Sequence, residues 1–203
     1  MVRVGLTGNI GSGKTTICRL FETLGAPVYF ADEKGKQYLE TAEVAKEIEA
    51  RFGREYLGKD GLPIRRKLAE LVFSDKEKLH ELNALIHPKV QMDFEKWAAT
   101  HNEQRYVIME AAILFETARY KDFDKIILVT APEEIRIQRV CKRDNVSEKD
   151  VVARMKNQWD EKRKIPLADF VIQNDEKELV MPQIKKIHKK LIDFSAAQKN
   201  PSS

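Results

Sequence analysis

The sequence contains few cysteines and no long apolar run. The first shortage argues against a disulfide-stabilised protein, and the second against a membrane-spanning one. Its two cysteines, Cys18 and Cys141, each lie among apolar neighbours in a predicted helix. We interpret both as buried free thiols, which indicates a reducing compartment. No apolar run approaches the roughly 18 residues that a membrane-spanning helix needs. Because a predicted strand begins at Val2, we expect no signal peptide and a cytoplasmic protein without a membrane partner.

A large charge of one sign is also missing. Lysine and arginine number 36 against 32 aspartates and glutamates, which gives a formal net charge of +4. This excess is too small to indicate nucleic acid as a partner, and a small anionic substrate is at least as compatible with it. The four histidines lack the spacing of metal ligands, so we expect no zinc site. A length of 203 residues suits one α/β core with an inserted subdomain.

What the sequence does contain is a phosphate-binding loop close to its start. Residues 8–15, GNIGSGKT, fit the pattern G-x-x-x-x-G-K-[ST]. Alternating apolar residues in 2–7 predict a strand before this loop, and apolar residues at helical spacing predict a helix after it, closed by Gly25. In that context the N–H groups of the loop and the helix N-terminus bind phosphate. We expect Lys14 to reach the β- and γ-phosphates of ATP and Thr15 to ligate Mg²⁺.

The rest of the chain alternates predicted strands with predicted helices. Short β-favouring runs recur at 26–30, 106–109, 125–130 and 170–172. With the opening loop they predict an α/β fold of the P-loop NTPase type, a doubly wound parallel sheet flanked by helices. We expect a single domain whose core comprises about residues 1–32, 101–134 and 167–195. The polar tail from Ala196 to Ser203 is expected to be frayed.

Two segments interrupt this core. Residues 33–100 have apolar residues at helical spacing, no convincing strand and a loop at 58–63, so we expect a helical insertion. His87-Pro88 falls at the end of one apolar helix and the start of the next, where a structural role is favoured over catalysis. Residues 135–166 are intensely charged and are interpreted as a mobile lid. Its arginines at helical spacing, which fall on one face, are Arg136, Arg139 and Arg143.

Asp32 and the lid arginines each have more than one interpretation. Asp32 follows the second predicted strand, which we expect beside the strand of the phosphate loop. Its carboxylate could accept a proton from a substrate hydroxyl, help to position Mg²⁺, or cap the next helix. The arginines could close over the γ-phosphate or form a solvated charged face.

These residues favour a kinase over two other classes of P-loop protein. A GTPase would need an Asn-Lys-x-Asp-like segment, and residues 157–160, NQWD, depart from it. A nucleic-acid motor would need an acid that closes a hydrophobic strand, for which Glu110 is the nearest candidate, and more chain than is present. An acid near the acceptor and a lid of arginines are typical of a kinase.

Several short motifs follow one another in a definite order. They are the opening Gly5–Thr15, Ala31-Asp32, Phe52-Gly53, Asp60-Gly61, Arg65 with Leu68, Val72-Phe73, His87-Pro88, Leu114-Phe115-Glu116, Arg139, Arg143-Asp144, Arg154 with Gln158, Ala168-Asp169 and Asn174. Together, over nearly the whole chain, they resemble the dephospho-coenzyme A kinase family. The sequence departs from that family's pattern at Asn9 and Thr15, where glycine and serine are usual, and at Phe30, which replaces the first acid of Asp-Ala-Asp. The family usually has glutamine where Arg136 stands, which favours Arg139 and Arg143 as the lid residues.

The resemblance implies that ATP phosphorylates the ribose 3′-hydroxyl of dephospho-CoA, giving CoA and ADP, with Mg²⁺ as the cofactor at Thr15. It implies catalytic roles for Lys14, Asp32, Arg139 and Arg143, with Asp32 as the base. The residues implied to bind ATP are Gly8, Asn9, Ile10, Gly11, Ser12, Gly13, Lys14, Thr15, Thr16 and Asn174. Those implied to bind dephospho-CoA, together with the insertion, are Thr7, Asp32, Arg65, His87 and Leu114. We expect a monomer or a homo-oligomer such as a trimer.

Overall fold

The computed structural model describes residues 1–199, apart from the side chains of residues 73, 74, 76 and 199. Five parallel strands form one sheet in the order β2-β3-β1-β4-β5. The strands are β1 (Val2–Thr7), β2 (Val28–Phe30), β3 (Tyr106–Glu110), β4 (Lys125–Thr130) and β5 (Phe170–Gln173). The parallel α/β sheet expected from the sequence is confirmed, and each strand lies within or close to the run that predicts it.

The position of β2 differs from the expectation. We predicted β2 beside β1, but β3 lies between them and pairs with both. All five residues of β3 are buried, as expected for a strand that is apolar on both faces and needs neighbours on both sides. The three-residue β2 is only partly buried and forms the edge of the sheet. The first acid after β2, Asp32, therefore follows the edge strand.

The chain divides into two compact units, residues 1–30 together with the chain from His101 onward, and Ala31–Thr100. The helices in chain order are α1 (Lys14–Thr23), α2 (Ala31–Tyr38), α3 (Ala42–Phe52), α4 (Arg65–Ser74), α5 (Lys76–Ala99), α6 (Glu133–Asp144), α7 (Glu148–Met155), α8 (Glu161–Lys164) and α9 (Val180–Lys199). Within residues 1–199, none of the helices is both long and apolar enough to cross a membrane.

In the first unit, α1 and α9 bury their apolar faces against the sheet. Phe21 of α1 and Leu191 of α9 are fully buried in one cluster with the strand residues Val4 and Ile127. Helix α1 ends as the sequence predicts, because Gly25 adopts φ +83° and its N–H bonds the Glu22 carbonyl. This packing fixes the junction of β1 and α1, where the phosphate loop lies.

Three local expectations are wrong. Helix α5 runs through Pro88 without a break, although we predicted two helices that meet there. Leu85 and Val90, on either side of the proline, are both buried, and their packing offsets the one backbone hydrogen bond that Pro88 cannot make.

Helix α9 continues to Lys199, because its last residues are good helix formers, so residues 196–199 are not frayed; residues 200–203 lie outside the described residues. Cys18 is buried as expected, but Cys141 is only half-buried.

Candidate active site

The phosphate loop, Gly8–Thr15, joins the end of β1 to the start of α1. Gly11 and Gly13 adopt φ +80° and +91°, a region that other residues rarely enter. A Cβ on Gly11 would lie 2.4 Å from the Arg136 carbonyl oxygen, and one on Gly13 would lie 2.3 Å from Nδ2 of Asn174. The loop is therefore packed so closely against its neighbours that only glycine fits at either position.

The start of α1 is open to an anion. Gly13 is its N-cap and supplies no side-chain cap, so the first N–H groups of the helix point out of its N-terminus. Lys14 lies across the loop, and its Nζ donates to the Gly8 carbonyl at 2.9 Å. The side chains of Thr15 and Thr16 are exposed in the first turn of α1. The uncapped first N–H groups of α1, the helix dipole and Lys14 are together suited to binding a phosphate.

Arg139 and Asn174, which the resemblance implies as nucleotide-site residues, lie against the same loop. Arg139 donates from Nη1 to the Gly11 carbonyl at 3.4 Å and from Nη2 to the Asn174 carbonyl at 3.1 Å. The Asn174 amide donates to the Ser12 carbonyl at 2.8 Å. Arg139 also forms a 2.9 Å ion pair with Glu176, which follows β5. Residues of α6 and of the segment after β5 therefore meet at the loop.

The other two predicted lid arginines are placed differently. Arg143 is exposed and makes two hydrogen bonds to Asp144, at 2.7 and 3.0 Å, and Arg154 bonds the same carboxylate. These hydrogen bonds hold the pKa of Asp144 below its ordinary value. Arg136 is buried, and its Nε donates to the Ala131 carbonyl at 3.0 Å. Of the three, Arg139 alone is hydrogen-bonded to the phosphate loop in the part of the chain that the structure describes.

The sequence did not indicate the most buried charge beside the loop. Lys164 is 0 % exposed, forms a 2.6 Å ion pair with Glu116 and donates a hydrogen bond to Oδ1 of Asn9. Burial lowers the pKa of Lys164. In sequence it belongs to the run EKRK, which is typical of a solvated surface. Its partners lie far away in the chain, so no local pattern distinguishes it from Lys162.

Two predicted substrate-binding residues of the first unit are buried. Thr7, the last residue of β1, is fully buried, and its hydroxyl has no hydrogen-bond partner among the described residues. Leu114 is 1 % exposed and packs toward Gly5 in the core. This arrangement does not support a substrate contact by the Leu114 side chain, because an apolar core position takes it out of reach of solvent.

The remaining predicted residues belong to the second unit. Asp32 and Glu33 are exposed acids in the first turn of α2, so Asp32 lies inside the helix and is not its N-cap. Arg65 begins α4 and donates to Glu40 at 2.6 Å and to the Lys36 carbonyl at 3.2 Å. His87 lies in the middle of α5, next to Pro88.

The residues at the loop fit a magnesium–nucleotide complex. Mg²⁺ in nucleotide sites keeps several waters and takes few protein ligands besides the phosphates. The exposed hydroxyl of Thr15, one residue into α1, is a ligand of that kind. The described residues contain no cluster of three or more histidine, cysteine or acidic side chains that could hold a metal by themselves.

The glycine loop ends in a lysine and lies between the central strand of a parallel sheet and a helix, and an arginine from a later helix contacts it. These features together are typical of a P-loop kinase. A sequence model of one such family, dephospho-CoA kinase, matches residues 2–179. The chain belongs to the dephospho-CoA kinase family.

Individual relatives agree. The dephospho-CoA kinase of Aquifex aeolicus is 38% identical over 193 residues, which cover 94% of this chain and 98% of that one. The crystal structure of TT1252 from Thermus thermophilus superposes with a TM-score of 0.81 at 32% identity and covers 95% of this chain and 96% of that one. Dephospho-CoA kinase from Campylobacter jejuni shares the fold, with a TM-score of 0.67, 24% identity, and coverage of 94% and 97% of the two chains.

Proposed function

We propose that the protein transfers the γ-phosphoryl group of ATP to the ribose 3′-hydroxyl of dephospho-CoA, giving CoA and ADP. The observation that carries this proposal is the open N-terminus of α1, with Lys14 lying across the loop and Arg139 hydrogen-bonded to it. Family membership supports dephospho-CoA as the acceptor. The reaction is the final step of coenzyme A synthesis.

The phosphate loop is proposed to hold ATP. Residues 8–16 supply backbone N–H groups to the phosphate oxygens, and Lys14 exchanges its bond with the Gly8 carbonyl for one with the transferred phosphate. Asn174 is proposed to lie at the adenine end, although its side-chain amide already contacts the loop. Thr15 would hold Mg²⁺, which when bound supplies positive charge to the β- and γ-phosphate oxygens.

Asp32 is proposed as the general base. As the 3′-hydroxyl oxygen forms its bond to the γ-phosphorus, its proton passes to the Asp32 carboxylate, and the bond to the oxygen bridging the β- and γ-phosphates breaks to release ADP. The exposure of Asp32 at the start of α2 leaves the carboxylate accessible to a substrate. The insertion, about residues 33–100, with Arg65 and His87 is proposed to bind dephospho-CoA; Thr7 and Leu114 remain predictions of lesser support because both are buried.

Arg139 is proposed to stabilise the charge that develops on the transferred group. Its position on the loop favours it over Arg143, whose hydrogen bonds in the described structure go to Asp144. Arg143 would need to leave that carboxylate to act. Closure of the lid, residues 135–166, would exclude water, since an open site hydrolyses ATP. A cytoplasmic location and a monomeric or trimeric state remain predictions.

A competition assay tests the proposal. The protein is incubated with ATP and Mg²⁺ and an equimolar mixture of dephospho-CoA, AMP, shikimate and pantothenate, and the products are separated by mass. We expect CoA and ADP in a one-to-one ratio and no other phosphorylated product. Phosphorylation of another acceptor would overturn the substrate, and ATP consumption without any phosphorylated acceptor would overturn the kinase itself.

A further inference from the structure

A buried ion pair behind the phosphate loop has no part in the chemistry proposed above. Lys164, the last residue of α8, is fully buried, and its Nζ lies 2.6 Å from Oε1 of Glu116, which is itself 12% exposed. Lysine is almost never fully buried unless it is paired, and the desolvation of such a pair opposes folding. The burial of Lys164 is therefore best explained by the residues that the ion pair keeps in place.

The pair is connected to two consecutive residues of the loop. Lys164 donates to Oδ1 of Asn9, whose amide donates in turn to the Trp159 carbonyl at 3.2 Å. The Ile10 N–H donates to Oε1 of Gln158 at 2.7 Å. Oε1 of Glu116 also accepts the Trp159 N–H at 2.8 Å, which ties the segment that contacts the loop to the ion pair.

We propose that Lys164 is a positioning residue for nucleotide binding, which acts with Glu116 and Gln158 to hold Asn9 and Ile10 in the conformation that receives phosphate. We call these three residues the loop clamp. The inference rests on the proposed function to the extent that the loop must bind ATP. This role would explain why a charged side chain is buried here. Gly8, Gly11 and Gly13 increase the conformational entropy that is lost when the loop becomes ordered, and contacts that order the loop before the nucleotide arrives strengthen binding.

The clamp and the contacts from α6 and from the segment after β5 hold different parts of the loop. Arg139 and Asn174 contact the carbonyls of Gly11 and Ser12, in the second half. Asn9 and Ile10, in the first half, are held by the clamp and the segment that carries it. Both halves must be fixed for the successive N–H groups to point at one phosphate, so loss of the clamp should weaken nucleotide binding without direct contact to the ligand.

The decisive variant removes both buried charges at once. Lys164→Met alone would leave Glu116 unpaired in the interior and would destabilise the whole protein. The double variant Lys164→Met with Glu116→Gln leaves neither charge unpaired in the interior, so it should cost less stability than the loss of one partner alone. The control is Lys162→Met, the same substitution at an exposed position of the same short helix.

Three measurements are made on each full-length protein: the unfolding midpoint, the affinity for ADP by calorimetry, and hydrogen exchange of the amides of residues 9–12. We expect the double variant to unfold close to the wild-type midpoint, to bind ADP at least about tenfold more weakly, and to exchange the loop amides faster. The control should match the wild type in all three.

Wild-type ADP affinity and wild-type loop exchange in the double variant would overturn the inference. If that variant does not fold, Gln158→Leu decides, because it removes the acceptor of the Ile10 N–H without altering a charge; unchanged ADP affinity there likewise overturns the clamp. A wild-type protein that binds no ADP contradicts the proposed function itself, which separates the two failures.

Discussion

Arg139 donates two hydrogen bonds to one oxygen of Glu176, at 2.9 and 3.2 Å, while it also bonds the phosphate loop. Glu176 is 63% exposed and adopts φ +65°, so its carboxylate lies at the surface of a tight turn after β5. The guanidinium that is best placed to meet phosphate is thus already paired with an acid. Phosphate oxygens must compete with that acid for the same N–H groups.

Replacement of Glu176 should therefore tighten nucleotide binding. Glu176→Gln keeps a hydrogen-bond acceptor for Arg139 but removes the negative charge. Exposed ion pairs contribute about 0.2–1 kcal/mol, so we expect ADP to bind up to about fivefold more tightly by calorimetry. Glu178→Gln, an exposed acid of the same loop, is the control for the change in net charge. Weaker binding by the Glu176 variant would show that the acid holds Arg139 in its working position.

The two candidate lid arginines should differ in their effect on turnover. Arg139→Ala should lower kcat by on the order of 10³, the magnitude seen when an arginine that stabilises the transferred phosphoryl group is lost. Arg143→Ala removes a side chain that is paired with Asp144, and we expect a smaller loss. Steady-state assays of CoA formation give both values. A loss below about tenfold for Arg139 would leave it only a structural role in holding the loop.

Asp32 and Glu33 provide a matched pair for testing the base. Both are exposed acids in the first turn of α2, where a negative charge interacts favourably with the helix dipole. Asp32→Asn should lower kcat by about 10²–10⁴ with little change in the KM for ATP, whereas Glu33→Gln should leave both nearly unchanged. Equal, small effects from the two variants would leave Asp32 only its role in the helix.

Alanine substitutions at Gly11 and Gly25 distinguish the effect of backbone strain from the effect of close packing. Both have positive φ, but a Cβ on Gly25 has nothing within 4 Å, whereas one on Gly11 would collide with the backbone of Arg136. Gly25→Ala should cost about 1–2 kcal/mol of stability and leave ADP affinity unchanged. Gly11→Ala should abolish ADP binding in addition. Chemical denaturation and calorimetry on the two variants measure these effects, and normal binding by Gly11→Ala would contradict the packing of the loop.

The sequence predicts the parts of this protein that depend on short-range patterns. The glycine loop, the strand before it, the helix after it and the Gly25 helix end all follow from neighbouring residues, and the structure contains each of them. The helix break predicted at Pro88 is wrong because proline disfavours a helix only locally, whereas the buried residues of α5 stabilise the helix along its whole length.

The site was less predictable where contacts are long-range. Arg136, Arg139 and Arg143 look alike at helical spacing, yet one is buried, one lies on the loop and one pairs with Asp144. Lys164 looks like the lysines around it, and its burial depends on Glu116 and Asn9, which are distant in sequence. A single sequence contains no signal for such pairings, because tertiary packing decides them.

The strand order places the whole of residues 31–100 between two neighbouring strands of the sheet. The chain leaves the sheet at the end of β2 and returns at the start of β3, and these two strands are neighbours. Everything between them, residues 31–100, is a single excursion that contributes no strand to the sheet. A chimera that replaces this segment alters no residue of the five strands or of the phosphate loop. Such a chimera would test whether the acceptor can be changed while the phosphate donor stays the same.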